Sequence, residues 1–252
     1  NERGTLVYSK IKSKEASEKI VYNTLTVPVR ERFQLVLADG TKVFLNSGSE
    51  MRYPERFGKA RREVFLKGEA WFEVAKDSAR EFWVHAGAMD VKVLGTSFNV
   101  KAYERLETVA TTLVEGSVEV ACAGKSFQIV PGEQFVYDKN NRVMDVRMVD
   151  TESYVSWKDG YYKFRQTTLE EIMETLSVWY GLNVFYVNES AKQVEFTGKV
   201  KRYEDARMLL DKFEQTGDVV FDIKGNNVFI TIKQKKPFAR EWNSFLVKAR
   251  GM

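Results

Sequence analysis

From Arg30 to Tyr137 apolar and polar residues alternate in short runs, and nearly every run stops at a turn signal. Side chains along a strand point to opposite faces with period two, so this alternation predicts half-buried antiparallel strands. Phe33-Gln34-Leu35-Val36-Leu37 meets Ala38-Asp39-Gly40 and is followed by Thr41-Lys42-Val43-Phe44-Leu45. An Asp-Gly pair between two such runs signals a hairpin, because glycine accepts the positive φ of a tight turn. Glu63–Leu66 leads through a turn at Lys67-Gly68-Glu69 into Ala70–Val74, and Val91–Leu94 leads through Gly95-Thr96 into Phe98–Val100. Thr108–Leu113, Ser117–Ala121 and Ser126–Val130 follow, with Glu115-Gly116 and Ala123-Gly124 as turns and Pro131-Gly132 as the close. No helical period interrupts the series. It reads as one all-β domain, antiparallel and sandwich- or solenoid-like.

After Gly160 the period changes. Tyr161–Phe164 is a strand, and Thr167-Thr168 ahead of Glu170-Glu171 has the spacing of a capping box. Leu169, Ile172, Met173, Leu176 and Tyr180 fall on one helical stripe, Gly181 stops the helix, and Asn183–Val187 is the next strand. The unit then repeats. Val194–Val200 is a strand and Tyr203-Glu204-Asp205 lead in; Ala206, Leu209, Leu210 and Phe213 form the stripe, and Gly217 stops it. Val219–Ile223 turns through Lys224-Gly225-Asn226-Asn227 into Val228–Ile232. Two strand–helix–strand units and a last hairpin predict a small α+β domain with both helices on one sheet face. The chain divides into a leading arm over 1–29, the β domain over 30–137, a polar connector over 138–159, the α+β domain over 160–233 and a tail over 234–252. A strand at Lys19–Tyr22 is compatible with the arm. Phe238, Trp242, Phe245, Leu246 and Val247 give the tail the pattern of a short amphipathic helix.

Single residues exclude most chemistry. Cys122 is the one cysteine and His85 the one histidine, which removes disulfides, cysteine zinc sites, Ser-His-Asp triads and Cys-His pairs. Glu69 and Glu73 do not make a glycosidase pair, since Glu69 lies in the predicted turn and no carboxylate motif is arranged opposite Glu73. Val93-Leu94-Gly95-Thr96-Ser97-Phe98 lacks the lysine and glycine spacing of a phosphate loop. The 39 basic and 35 acidic residues are closely mixed, for a net charge of +4. The basic runs at Lys10, Lys12 and Lys14, at Arg56, Lys59, Arg61 and Arg62, and at Lys233, Lys235 and Lys236 are short and read as solvated surface, not a nucleic-acid patch. No stretch is apolar enough for a membrane helix, and no signal peptide opens the chain. No enzymatic activity, cofactor or metal is expected.

Two binding features remain. Val194–Val200 has no proline and alternates charged with apolar residues, as an edge strand open to a partner strand does. Trp71, Phe72, Phe82 and Trp83 are either core or a sugar platform. The second option defines an alternative, a carbohydrate-binding β module acting through Trp71 or Trp83.

Several runs together resemble the FecR family. Leu37-Ala38-Asp39-Gly40-Thr41 with Leu45-Asn46-Ser47-Gly48-Ser49 is similar to the opening of a FecR domain, and Leu66-Lys67-Gly68-Glu69-Ala70-Trp71-Phe72-Glu73-Val74-Ala75 to its central motif. Val93–Val100, Leu113–Val118 and Pro131-Gly132-Glu133-Gln134 resemble the later ones. Phe196–Val200 and Asp218–Ile223 resemble the module that follows FecR domains in Bacteroidetes-type regulators, itself similar in plan to the short N-terminal domain of secretins and TonB-linked transporters. The resemblance covers roughly residues 30–233.

It implies an anti-sigma regulator with a cytoplasmic sigma-binding segment, one inner-membrane helix and a periplasmic part. This sequence corresponds to the periplasmic part alone, so the sigma factor is reached only through a segment outside it. The implied partner is the periplasmic signalling domain of an outer-membrane TonB-dependent transporter. The expected contact residues are Glu195, Phe196, Gly198, Lys199 and Val200 on the edge strand, with Phe221 and Phe229 on the last hairpin.

Overall fold

The structure is a computed structural model that describes residues 5–7, 20–202 and 205–233. The lysines of the leading arm, the Tyr203-Glu204 lead-in, Lys235, Lys236 and the C-terminal tail lie outside the described residues. The first domain contains β1 (Thr5–Val7), β2 (Tyr22–Thr26), β3 (Phe33–Val36), β4 (Lys42–Leu45), β5 (Glu50–Pro54), β6 (Arg62–Glu73) and β7 (Phe82–Ala86). It continues with β8 (Met89–Val93), β9 (Ser97–Ala102), β10 (Thr108–Glu115), β11 (Val118–Cys122), β12 (Lys125–Ile129), β13 (Glu133–Asp138) and β14 (Val143–Met148).

One strand ties these together. β6 is 12 residues long and belongs to two sheets. Its first half pairs with β5 and β7, in the order β2-β5-β6-β7-β8-β11-β12. Its second half pairs with β4 and β9, in the order β1-β3-β4-β6-β9-β10-β13-β14. The crossing point is Gly68, whose φ is 105°. A Cβ there would lie 2.7 Å from Ser49 Cα, so only glycine fits. Lys67-Gly68-Glu69 is therefore a bend within a continuous strand, which corrects the expectation of a turn.

Between the two sheets lies one core. Val64, Leu66, Ala70 and Phe72 alternate inward along β6 and meet Leu35, Val43, Met51, Phe82, Val91, Phe98, Leu113, Val120 and Phe135. Each large apolar side chain so buried contributes about 1.5–3 kcal/mol relative to exposure. The Asp39-Gly40 hairpin forms as expected, with Gly40 at φ 91° and its N–H donating to Leu37 O at 2.9 Å. It has a second role. Asp39 accepts from Thr41 N at 3.0 Å and from the Arg62 guanidinium at 2.8 Å. Arg62 is fully buried and also donates to Ala75 O at 2.8 Å and Arg80 O at 2.9 Å, so it is not part of a solvated basic run.

The β structure extends past the expected ends of the domain. Tyr22–Thr26, read as arm, is β2 and pairs antiparallel with β5. Val143–Met148, read as connector, is β14 and pairs antiparallel with β13. Both are short edge strands with no fully buried residue, so their apolar pattern is weak.

The connector proper is α1 (Thr151–Val155) and a 3-10 turn at Ser156–Asp159. The second domain follows as β15 (Tyr161–Thr168), α2 (Leu169–Tyr180), β16 (Asn183–Tyr186), β17 (Glu195–Lys201), α3 (Ala206–Glu214), β18 (Val219–Lys224) and β19 (Asn227–Ile232). Thr168 caps α2 by accepting from Glu171 N at 3.3 Å, and Gly181 ends it at φ 68°. The two strand–helix–strand units interleave. β15 and β17, their first strands, pair antiparallel, while β16 runs parallel and β18 antiparallel to β19. The domain thus has two small sheets where one was expected. A single core unites them, with Phe164 and Phe196 from one sheet, Phe221, Val228 and Ile230 from the other, and Leu176, Leu209 and Phe213 from the helices.

Gly68→Ala is expected to lower stability by about 3 kcal/mol, from a strained φ and a backbone clash together. Gly40→Ala, also left-handed but facing open space, should cost about 1 kcal/mol. Urea unfolding of both variants checks the difference. Cys122 is buried, and burial with the nearby Asp90 charge pushes its thiol up from the ordinary range. It should resist a thiol reagent at pH 8 in the folded chain and react stoichiometrically in guanidinium chloride.

Candidate functional site

In the second half of β6 the alternation fails in an informative way. Glu69 and Trp71 point away from the β core, yet both are buried. The second domain covers that face. Trp71 belongs to the core of the second domain, with Trp157, Tyr162 and Trp179, and Phe44 and Val114 pack against the same cluster.

A buried polar network joins the domains at this face. Glu69 accepts from Asn46 Nδ2 at 2.6 Å through one carboxylate oxygen and from Asn99 Nδ2 at 2.9 Å through the other. Asn99 Oδ1 accepts from Trp157 Nε1 at 3.1 Å. Asn46 Oδ1 accepts from Ser47 N at 2.8 Å and from the guanidinium of Arg202. Arg202 is 0% exposed, immediately after β17. It also donates to Trp157 O at 2.9 Å and lies 3.6 Å from the centre of the Trp179 ring. Its own N–H bonds Gly160 O at 3.1 Å, continuing the β15–β17 ladder, and its carbonyl accepts from Tyr180 OH at 3.2 Å. An arginine buried without water needs this set of acceptors and ring faces.

A second contact closes the end of α2. Its last carbonyls have no partner within the helix. The Ser47 hydroxyl lies 3.3 Å from Val178 O and 3.5 Å from Trp179 O, and accepts from Arg30 N at 2.9 Å. Tyr103 OH donates to Ser47 O at 2.8 Å. Burial, with the Glu69 charge adding, pushes the Tyr103 phenol well above its ordinary range, so it stays a donor. Burial also pushes Tyr162 up, against the pull of Arg202. Val178 packs on Tyr103 and Leu106, and Lys101 pairs with Glu174 at 3.4 Å.

The expected contact residues fall in three places. On β17, Glu195, Gly198 and Lys199 are exposed, Val200 is half-buried, and Phe196 is buried edge-on against Phe213 at 4.9 Å. Phe221 faces the core of the second domain from β18. Phe229 lies on the outer face of the other small sheet, stacked on Phe185 at 5.1 Å. Phe221 shares the domain core with Phe196 and does not lie on the open edge, and Phe229 lies on the other small sheet.

β17 has an open edge. Arg202 N bonds Gly160 O and Leu169 N bonds Val194 O at the two ends of its ladder with β15. Between them the even-numbered residues of β17 bond to β15, so the N–H and C=O groups of Glu195, Thr197, Lys199 and Lys201 point the other way. No described strand pairs with that side.

The aromatic residues weighed as a sugar platform do not form one. Trp71, Phe72 and Phe82 are buried. Trp83 is half-buried, donates to Glu81 at 3.0 Å, lies nearly parallel to His85 at 6.2 Å, and has the Lys92 ammonium 5.7 Å from its ring. His85 is bound by Asp90 at 2.7 Å, and no group of His, Cys, Asp and Glu among the described residues is placed to hold a metal.

Sequence reasoning reached Asn46, Glu69 and Trp71 as family motif positions, weighed Glu69 as a glycosidase carboxylate and Trp71 as a sugar platform, and missed Arg202 altogether. The signal for these three was their place in the motifs Leu45–Ser49 and Leu66–Ala75. Arg202 offered none, because its partner Asn46 is 156 residues away in the chain.

Comparison with family models matches residues 23–119 to the FecR protein family and residues 161–230 to the FecR C-terminal domain, together more than half of the chain. The chain belongs to the FecR family. Two crystal structures from Parabacteroides distasonis ATCC 8503, described as a candidate anti-sigma factor, share its fold. At 1.65 Å the match has a TM-score of 0.75 and 28% identity, over 83% of this chain and 99% of that one. At 2.50 Å it has a TM-score of 0.75 and 27% identity, over 84% and 99%. Comparison with curated proteins finds no match. No helix among the described residues of this FecR-family chain is long and apolar enough to cross a membrane.

Arg202→Met should lower stability by about 3–5 kcal/mol, since it removes the buried cation and its hydrogen bonds from the network that holds the Glu69 carboxylate. Scanning calorimetry should show one transition in the native chain and two in this variant. Glu69→Gln puts an amide where two amides already donate, and should cost about 2–3 kcal/mol by urea unfolding.

Proposed function

We propose that this chain is the periplasmic receiving part of a transmembrane anti-sigma factor. Its partner is the signalling domain of an outer-membrane TonB-dependent transporter, and the signal passes to an extracytoplasmic-function sigma factor held by a cytoplasmic segment of the same protein. The family assignment supports the regulator. The open edge of β17 supports the mode of reception, because four residues there turn toward an incoming strand backbone groups that no described strand pairs with. Their side chains suit the task. Glu195, Thr197, Lys199 and Lys201 are all exposed, so a docked strand meets polar groups on one face and the closed domain on the other. The reading involves no bond making, and the junction network serves to hold the two domains as one body.

Titration calorimetry should show saturable binding between this chain and the signalling domain of the transporter encoded beside its gene. Lys199→Pro removes an outward N–H without touching the β15 ladder and should weaken binding at least tenfold while leaving the circular dichroism spectrum unchanged. Binding that survives Lys199→Pro moves the dock off β17, and no saturation with the native chain removes the receiver reading.

A further inference from the structure

The receiving edge and the domain junction share a residue neighbourhood, and that placement has a functional meaning. Lys201 is the last residue of β17 and presents its backbone to the open edge. Arg202 is next, and its backbone still belongs to the β15–β17 ladder through the bond to Gly160. Its side chain leaves the domain and binds Asn46, which holds Glu69, which holds Asn99. Asn46 N in turn donates to Glu69 O at 2.9 Å, and Glu69 N donates to Ser49 Oγ at 2.8 Å, so the network fixes main chain next to the Gly68 crossing of the two sheets.

We infer that Arg202 is the positioning residue that couples the state of the β17 edge to the β domain. A shift of β17 moves the Arg202 backbone, and the buried guanidinium passes the shift to Asn46 and Glu69 with no solvent to absorb it. The other junction contacts do not do this. Ser47 meets α2, and Lys101 and Arg147 reach Glu174 and Glu171 on that same helix. Arg202, directly after β17, donates a side-chain hydrogen bond into the β domain. The relay role rests on the reading of β17 as the receiving edge; the coupling itself does not.

Amide hydrogen exchange on the full chain tests the coupling without a partner. Val200→Ala loosens β17 two residues before Arg202, opposite Tyr162. It should accelerate exchange at the Asn46 and Glu69 amides about tenfold, as well as within the β15–β17 ladder. In an Arg202→Met background those two amides should already exchange faster, and Val200→Ala should add nothing to them. Arg202→Lys keeps the charge without the fork and should retain only part of the response. The inference fails if Val200→Ala speeds the ladder but leaves Asn46 and Glu69 unchanged. It fails equally if the two substitutions act additively on those amides. Failure here leaves strand docking on β17 standing, and failure of the calorimetry leaves the coupling standing.

Discussion

The burial of one guanidinium governs how this molecule is put together. Arg202 is fully buried, so acceptors and ring faces must replace the hydration it gives up. Its own domain supplies the Trp179 face, and the connecting turn supplies a carbonyl from Trp157. The amide oxygen comes from Asn46 in the other domain. The second domain therefore cannot rotate on the first without stranding a buried cation, and a charged network of this kind favours one arrangement over its neighbours more than it adds to total stability. Glu69 lies one residue further in, joined through Asn46, so opposite charges lie within the same dry network without direct contact.

The β domain is shaped to receive that cation. A strand shared by two sheets gives β6 an inner face that belongs to the β core throughout and an outer face that changes function at Gly68. Before the glycine the outer positions are half-buried side chains such as Glu63 and Phe65. After it they are Glu69 and Trp71, buried beneath the second domain. The same twelve residues thus serve core, sheet crossing and junction. Asn46, from the loop after β4, and Asn99, from β9, flank Glu69 because β4 and β9 are the neighbours of β6 in this sheet.

What could be read from sequence was local. The Asp39-Gly40 hairpin, the stripe of α2 and its Thr168 and Gly181 ends rest on residues within a few positions of one another. Their structure matches the expectation. Gly68 was misread because a Lys-Gly-Glu triplet is a common turn, and a glycine demanded by a neighbouring strand looks identical in sequence. Arg62 was misread because charge suggests water, whereas Asp39 waits for it in the hairpin turn. β2 and β14 escaped notice because neither holds a fully buried residue, so little apolar signal marks them. The open edge of β17 was legible from its pattern, but the interleaving that leaves it open, β15 with β17 and β16 with β19, is a matter of topology.

The distance between Asn46 and Arg202 along the chain also bears on the order of events as the protein is made. Synthesis runs from the N-terminus, so the strands of the β domain are complete at Met148 while Arg202 is still to come. Through that interval Trp71 and the Asn46–Glu69–Asn99 cluster face solvent, a broad aromatic and polar surface on a finished sheet. Arrival of β17 and the residue that follows it ends that exposure and marks the moment the chain becomes a single body.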